Sequence, residues 1–226
     1  AFYGSQDADE KYYSLNSEER KMHEKPFIDK TIFVSLNAKM ICAFLEAGIY
    51  LGKDYTKTAL DVLNFILEKC RSEKGFCHYF DGECHEYGML ADNAQMLKTL
   101  LNAYETTRDE KYLSIGKQVS EFIRKNFFDG KTLNDRVRSE DDIGMLRMRN
   151  RNLAENSCVA ECFLRLAFYM DDDSYKNDAE KMLKDLGDVY RMYGVMAAPY
   201  ALAIERANGF QVKLQCSGAE YDEALK

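Results

Sequence analysis

The chain of 226 residues contains one internal repeat, and this repeat limits the folds available to it more than any other feature. An asparagine recurs at positions 37, 93 and 156, so the intervals are 56 (93 − 37) and 63 (156 − 93) residues. A tyrosine that follows a short acidic turn recurs at positions 55, 112 and 175. Tetratricopeptide and ankyrin repeats are about 33–34 residues long, which is too short for this period. Each unit instead predicts two long helices joined by a turn.

The two predicted helices of a unit differ in how their apolar residues are distributed. In the second helices, residues such as Tyr112, Val119 and Ile123 form one stripe, which is typical of a helix with one side in water. The first helices are apolar over a wider arc, so they are expected to lie inside. Pro199 suits the first turn of a seventh helix ending near Gly209. The pattern predicts an all-α fold of about seven helices, in which inner helices alternate with outer ones as in a toroid or a solenoid of helical hairpins.

Short β-hairpins are predicted in the loops between helix pairs. Asp81-Gly82 is a strong two-residue turn signal, and such a turn would pair residue 80 with 83 and residue 78 with 85. His78 and His85 would then share one face, with Cys77 and Cys84 diagonal to each other on the opposite face. Because these four side chains do not converge in that register, no metal site is predicted. A second hairpin is expected around residues 127–133, and a strand over residues 210–216.

Composition excludes several classes of protein. Asp and Glu outnumber Lys and Arg by 38 to 31, giving a net charge of −7, which disfavours a general binder of nucleic acid or anionic membranes. The seven cysteines are odd in number and include no C-x-x-C motif, so a reducing compartment is the simpler interpretation. The longest nearly apolar run, residues 195–204, is half the length that a spanning helix needs. The sequence predicts a cytoplasmic protein without a membrane segment or a cofactor.

Several segments resemble a known family. The opening residues 2–9 are similar to an F-Y-S-A-x-D-A-D segment, and residues 88–94 are similar to G-F-L-E-D-Y-A. Asp29-Lys30, Ser35-Leu36-Asn37 and Asn156-Ser157 resemble further family motifs. In these segments the chain resembles the C-terminal barrel region of the thioredoxin-domain family that includes spermatogenesis-associated protein 20. That region is related to the N-acylglucosamine 2-epimerase (α/α)6 toroids. The resemblance implies an α/α toroid of the six-hairpin glycosidase type, of which this chain would form a partial ring of about seven helices.

The resemblance implies a carbohydrate-binding or carbohydrate-active domain, either epimerase-like or glycosidase-like, with a polar lumen. The chain departs from the family pattern at Leu36, where the family has tryptophan. It also lacks the acid, proline and serine that the family has before the position of Asn156. A non-catalytic scaffold domain, normally attached to a thioredoxin-like domain, therefore stays as the alternative. Histidine is the usual acid–base group near neutral pH, and none of His23, His78 and His85 lies on a first helix, which weakens epimerase chemistry.

The candidate site residues each have a structural alternative. Asp92 is the first choice for a catalytic carboxylate, because toroid glycosidases use two carboxylates and Asp92 could pair with Asp7, Asp9 or Glu155. A carboxylate at a helix start is also favoured electrostatically. The substrate-binding candidates are polar residues at helix starts or in matching segments: Asp7, Asp9, Lys30, Asn37, Asn93, Glu155 and Asn156. The asparagines could equally be N-caps, and the acids at 7 and 9 could simply be solvated.

The predicted organisation has three parts and an open edge. Residues 1–34 form an N-terminal loop segment, residues 35–209 the toroid hairpins, and residues 210–226 a C-terminal strand and tail. A ring of seven helices leaves apolar surface exposed where further hairpins would continue it. The expected partners are a sugar or polyol ligand and, at the open edge, a second copy or a preceding part of the polypeptide.

Overall fold

The structure is a computed structural model that describes residues 1–209 and Val212. Residues 1–33, predicted as a loop segment, contain short elements: β1 (Ser5–Asp7), α1 (Glu10–Ser14), α2 (Ser17–Lys21), β2 (Phe27–Asp29) and β3 (Ile32–Phe33). β1 and β2 pair in antiparallel fashion, with Ser5 opposite Asp29. The two short helices form because the side chains of Asp9 and Asn16 cap their first turns. The loop prediction did not take these two caps into account.

Seven longer helices follow in the described chain. They are α3 (Val34–Leu51), α4 (Lys53–Lys69), α5 (Leu90–Thr107), α6 (Glu110–Phe127), α7 (Leu153–Met170), α8 (Asp173–Leu186) and α9 (Ala198–Asn208). α3 packs on α4, α5 on α6 and α7 on α8, and the first helices of these pairs also pack on one another. α9 packs on α7 and begins with Pro199 in its first turn, as predicted. The predicted all-α fold, a partial α/α toroid of about seven helices, is confirmed. α5 and α7 are its most buried helices, whereas α9 buries only Tyr200 and Ala203.

The burial of the two helix types follows the apolar patterns. Along α7 nearly every side chain from Leu153 to Leu166 is buried, including Val159 and Phe163. In α6 only one stripe is buried, which contains Tyr112, Val119 and Ile123. A helix buried on most sides must be apolar nearly all round, whereas an outer helix needs a single stripe.

A small sheet precedes α5. It contains β3, β4 (Arg71–Ser72), β5 (Gly75–Phe80) and β6 (Cys84–Tyr87). The hairpin of β5 and β6 exists, but its register is one residue from the predicted one: Tyr79 pairs with His85 and Phe80 with Cys84. Asp81, Gly82 and Glu83 form a three-residue loop, so His78 and His85 do not stand side by side. The two-residue turn predicted from Asp81-Gly82 was wrong. The second predicted hairpin is reduced to one bridge between Phe128 and Leu133.

One face of α3 is uncovered. Leu36, Met40 and Tyr50 are exposed on it, while the other side packs on α4 and α5. By length and composition alone, α3 is the one helix in the described part of the chain that could cross a bilayer. The predicted strand at 210–216 lies, apart from Val212, outside the described residues.

Candidate functional site

The repeated asparagines hold the extended segments that lead into the inner helices. Asn37 Oδ1 accepts a hydrogen bond from Phe2 N (2.8 Å), Asn93 Oδ1 from Phe76 N (3.2 Å) and Asn156 Oδ1 from Leu133 N (2.7 Å). The three side chains are buried. In each repeat, one asparagine therefore joins the backbone of the incoming segment to the start of the inner helix. We call this arrangement an asparagine clamp.

The amide nitrogens of the same asparagines are also occupied. Each Nδ2 donates to the carbonyl four residues earlier, at 3.0 Å for Asn37, 2.8 Å for Asn93 and 2.9 Å for Asn156. Asn37 and Asn156 donate in addition to the carbonyls of Phe2 and Leu133. Because these bonds use the polar atoms for folding, the asparagines are poorly placed to bind a ligand.

The asparagines are also not N-caps, contrary to the structural alternative considered above. The inner helices begin one turn earlier, so the cap residues are Phe33, Met89 and Asn152. Among these, Asn152 caps with its side chain, accepting a hydrogen bond from Glu155 N at 3.1 Å. Each repeated asparagine occupies the fourth position of its helix.

Gly75 shows how tightly one of these clamps is built. A Cβ at this position would lie 2.6 Å from Asn93 Oδ1 and 2.6 Å from the Phe122 ring. The backbone of Gly75 also has φ +87°, a conformation that other residues rarely adopt. Glycine is required here because the incoming strand passes directly over the asparagine.

Asp92, at the third position of α5, forms the centre of a different arrangement. Its side chain is fully buried. Oδ1 accepts a hydrogen bond from Ser35 N at 3.1 Å, and Oδ2 lies 3.0 Å from His78 Nδ1. Burial raises the pKa of Asp92, while the hydrogen bond from His78 opposes that rise. The His78 ring is about one third exposed, so it stands between the buried carboxylate and the solvent.

The Asp92 contact orients the His78 ring. A carboxylate that accepts from Nδ1 favours the tautomer with its proton on Nδ1, which leaves Nε2 as the basic nitrogen. Phe33 lies edge-on to the ring at 5.9 Å and limits its rotation. Sequence reasoning missed this pair, because the predicted hairpin register placed His78 beside His85. His85 instead stacks on Tyr79 and contacts Asp81 at 2.9 Å.

Glu155 occupies the third position of α7, which is equivalent to that of Asp92 in α5. Its pKa is raised to about 7, first by burial and then by the negative charges of Asp135 and Asp92, with Lys39 opposing them. Oε2 of Glu155 is buried and has no hydrogen-bond partner among the described residues. Glu155 is therefore a carboxyl group that changes protonation near neutral pH and has a free polar atom.

Charged residues continue along the inner helices beyond this site. Arg165 is buried and lies 3.0 Å from Glu105 and 3.6 Å from Glu161. Lys98 lies 3.4 Å from Glu161, and Arg206 of α9 lies 3.7 Å from the same carboxylate. The contacts between α5, α7 and α9 are thus partly ionic.

The N-terminal candidates bond within their own segment. Asp7 accepts hydrogen bonds from the Tyr13 hydroxyl and from Ala8 N, and Asp9 caps α1 through Tyr12 N at 2.9 Å. Lys30 is exposed. Two cavities of about 500 and 640 Å³ lie on and around α7 to α9, and neither is lined by a predicted site residue. The structure therefore brings together Asp92 with His78, and places Glu155 on the neighbouring helix start.

The fold is that of the (α/α)6 toroid enzymes. A GH76 α-mannanase from Bacteroides thetaiotaomicron matches with a TM-score of 0.64 and 16% identity, over 78% of this chain and 52% of that one. An unsaturated glucuronyl hydrolase specific for heparin matches with a TM-score of 0.64 and 14% identity, over 79% and 59%. A cellobiose 2-epimerase from Bacillus thermoamylovorans matches with a TM-score of 0.57 and 15% identity, over 69% and 44%.

These similarities concern the fold and part of a ring. The chain spans between 44% and 59% of the length of these three enzymes. No protein-family model matches the sequence, and no curated protein is significantly similar to it. The chain therefore has the fold of a partial toroid, and the names of the three similar enzymes all refer to carbohydrate substrates.

Proposed function

We propose that this chain forms part of a carbohydrate-active toroid and moves protons on a sugar, in the manner of an isomerase or epimerase. The observation that carries the proposal is the contact between the partly exposed His78 ring and the buried Asp92 carboxylate. The solved enzymes that share the fold support the class of substrate, since they include an epimerase, an isomerase and glycosidases.

His78 is the base in this proposal. With the Nδ1 proton held by Asp92, Nε2 can take a proton from the carbon beside the carbonyl group of an open-chain sugar. The resulting enediol regains a proton at one of two carbons or on one of two faces, which gives an isomer or an epimer. The sequence argument against epimerase chemistry was that no histidine lies on a first helix. β5 brings His78 against Asp92 at the start of α5, and this position supports His78 as a base.

Glu155 is the acid. With a pKa of about 7, it is half protonated near neutral pH and can donate to the carbonyl oxygen of the sugar. The Glu155 side chain is only partly buried, and its Oε2 makes no hydrogen bond within the described residues, so the carboxyl group has the capacity for such a bond. Since the carboxyl group must carry a proton to donate one, the proposal makes the reaction slower above pH 7.

Asp92 changes role from the one predicted by sequence. A fully buried carboxylate whose two oxygens are occupied by Ser35 and His78 has no surface for a substrate, so it acts as a positioning residue for His78. This arrangement also favours proton transfer over glycoside hydrolysis, which requires two carboxyl groups that both reach the scissile bond.

The test is solvent deuterium exchange. Reducing sugars such as mannose, glucose and cellobiose are incubated with the protein in D2O, and loss of the C2 proton signal is followed by NMR. We expect exchange with the native chain and a loss of about 100-fold or more in His78→Ala. His85→Ala is the matched control, since His85 lies on the same hairpin but contacts Asp81, and it should retain full exchange.

Two results would contradict the proposal. One is equal exchange in His78→Ala and His85→Ala. The other is an absence of both exchange and sugar-dependent thermal stabilisation, which would favour the non-catalytic scaffold beside a thioredoxin-like domain.

We also propose that the exposed face of α3 is covered in the assembled protein, by a second copy or by more of a longer polypeptide. The half-length match to complete toroids supports this cover. Sedimentation of the chain and of Met40→Lys tests the first case, because a charge on this face should weaken self-association.

A further inference from the structure

The three thiols nearest the β5–β6 hairpin form a cluster that the proposed sugar chemistry does not use. Cys70 ends α4, Cys77 lies on β5 and Cys84 begins β6. Their sulfur atoms all lie within 4.8 Å of one another. Cys70 and Cys77 are buried and Cys84 is partly exposed, so the cluster has one opening to solvent. The spacing is regular, with six residues between successive cysteines.

The backbone fixes the three positions independently of any bound group. Cys77 N donates to Cys70 O at 3.0 Å, which ties β5 to the end of α4. The Cα atoms of Cys77 and Cys84 are 5.7 Å apart, and the two residues are paired as a disulfide in this structure. Cys84 Sγ also lies 3.3 Å from Lys69 O. The three cysteines therefore lie together where α4, β5 and β6 meet.

Two chemical states fit this geometry, and they exclude each other. The disulfide between Cys77 and Cys84 leaves Cys70 as a buried thiol beside it. A metal ion would use all three sulfurs. In a tetrahedral zinc site each sulfur lies about 2.3 Å from the metal and therefore about 3.8 Å from the other sulfurs. Once the disulfide is reduced, the Cys77 and Cys84 sulfurs can move apart to this spacing, and all three sulfurs already lie within 4.8 Å of one another.

We propose that, in the reduced protein, Cys70, Cys77 and Cys84 bind one Zn²⁺ ion, with water from the side of Cys84 as the fourth ligand. Thiolates are soft ligands that select zinc over magnesium or calcium. No histidine, carboxylate or fourth cysteine of the described residues joins the group. The set differs from the one rejected on sequence, since Cys70 replaces the two histidines. The Cys77 and Cys84 side chains, predicted to lie diagonally on one face, meet here.

The expected consequence is local. The zinc ion would fasten the hairpin to the end of α4, and His78 follows Cys77 directly on β5. Removal of the metal should therefore loosen this hairpin first and lower the melting temperature, because metal binding to the folded state stabilises it.

Zinc titration of the reduced chain tests the proposal. The protein is reduced with a phosphine, desalted under nitrogen and titrated with zinc chloride against a coloured chelator, with native mass spectrometry as a second readout. We expect one zinc per chain and the release of about three protons at pH 7, since free thiols are protonated there and must lose their protons to bind. Burial raises the pKa of the Cys70 thiol to about 11, so its proton is among those released.

Variants separate the cluster from other thiols. Cys84→Ser, at the partly exposed position, should weaken zinc binding by at least tenfold, and Cys70→Ser should do the same. Cys42→Ser is the matched control, since Cys42 lies against Thr99 on another helix and should leave binding unchanged. Less than one zinc per folded, reduced chain overturns the proposal, as does full binding in both cluster variants. Circular dichroism establishes that each variant is folded.

Discussion

The third and fourth residues of the inner helices differ in their structural roles. At the fourth position of α3, α5 and α7 an asparagine is buried, and its bonds hold the segment that leads into the helix. At the third position stand Leu36, Asp92 and Glu155, which vary from one repeat to the next. The repeated residue is structural, whereas the residue beside it supplies titratable groups in two repeats out of three. The asparagine that recurs in each repeat therefore stabilises the fold, whereas the variable position before it can carry a functional group.

The largest effect should come from removing a clamp. Asn156→Ala eliminates three hydrogen bonds and leaves the backbone groups of Leu133 buried without partners. We expect the free energy of unfolding to fall by about 3 kcal/mol, because each unsatisfied buried group costs about 1–3 kcal/mol. Urea denaturation measures it. Asn150→Ala, at an exposed position, is the control. An equal loss of unfolding free energy in both variants would show that the hydrogen bonds of Asn156 do not stabilise the fold.

The carboxylate beside a clamp should behave in the opposite way. Asp92→Asn keeps the size of the side chain but can offer an N–H to His78, which disfavours the Nδ1–H tautomer. We expect deuterium exchange on sugars to slow by about 10- to 100-fold while stability changes by less than about 1 kcal/mol. Asp81→Asn, which affects His85, is the matched control. A large loss of stability with unchanged exchange would place Asp92 among the structural residues.

Glu155 should make the free energy of unfolding depend on pH. Its pKa of about 7 in the folded state exceeds the ordinary 4.5, so the folded protein binds a proton more tightly than the unfolded chain. The free energy of unfolding should therefore decrease as pH rises from 4.5 through 7. Glu155→Gln removes this penalty and should be more stable than the native chain by about 1 kcal/mol at pH 8, allowing for the partial solvent exposure. Below pH 4.5 the two should be equal.

A constant difference between the two proteins from pH 4 to 8 would contradict the raised pKa. Thermal or urea melts at four or five pH values are sufficient to distinguish the outcomes.

The first repeat gives the smallest expected effect. Leu36, at the third position of α3, is 55% exposed. Leu36→Ala should change the free energy of unfolding by less than about 0.5 kcal/mol, as for most exposed positions. Asn37→Ala, one residue later, should cost about 2–3 kcal/mol because it loses its bonds to Phe2 and Phe33. Similar values for these neighbours would remove the distinction between the two positions.

Sequence reasoning could predict the helices, their inner and outer roles and the seventh helix, because each depends on the period of apolar residues or on Pro199. It found Asn37, Asn93 and Asn156 as a repeat but assigned them the wrong position, since the helices begin one turn earlier than the polar residues suggest. A residue-by-residue pattern locates a helix more securely than its first residue.

The site was harder to predict than the fold. His78 was missed because the pairing of β5 with β6 depends on a three-residue loop, and the Asp81-Gly82 signal favours a two-residue turn. The raised pKa of Glu155 depends on its burial near Asp92 and Asp135, which only the packing of α5 against α7 produces. The thiol cluster did have a sequence signal in the equal spacing of Cys70, Cys77 and Cys84, although spacing alone does not bring sulfur atoms together.

The most direct test of the account is the protonation state of His78. The chain has three histidines, so ring nitrogen–proton NMR spectra of a uniformly 15N-labelled sample can be assigned with one variant per residue. The account predicts that neutral His78 carries its proton on Nδ1, with a protected Nδ1–H signal that disappears in Asp92→Asn and persists in Asp81→Asn. A neutral His78 protonated on Nε2, or one whose spectrum is the same in Asp92→Asn, would contradict it.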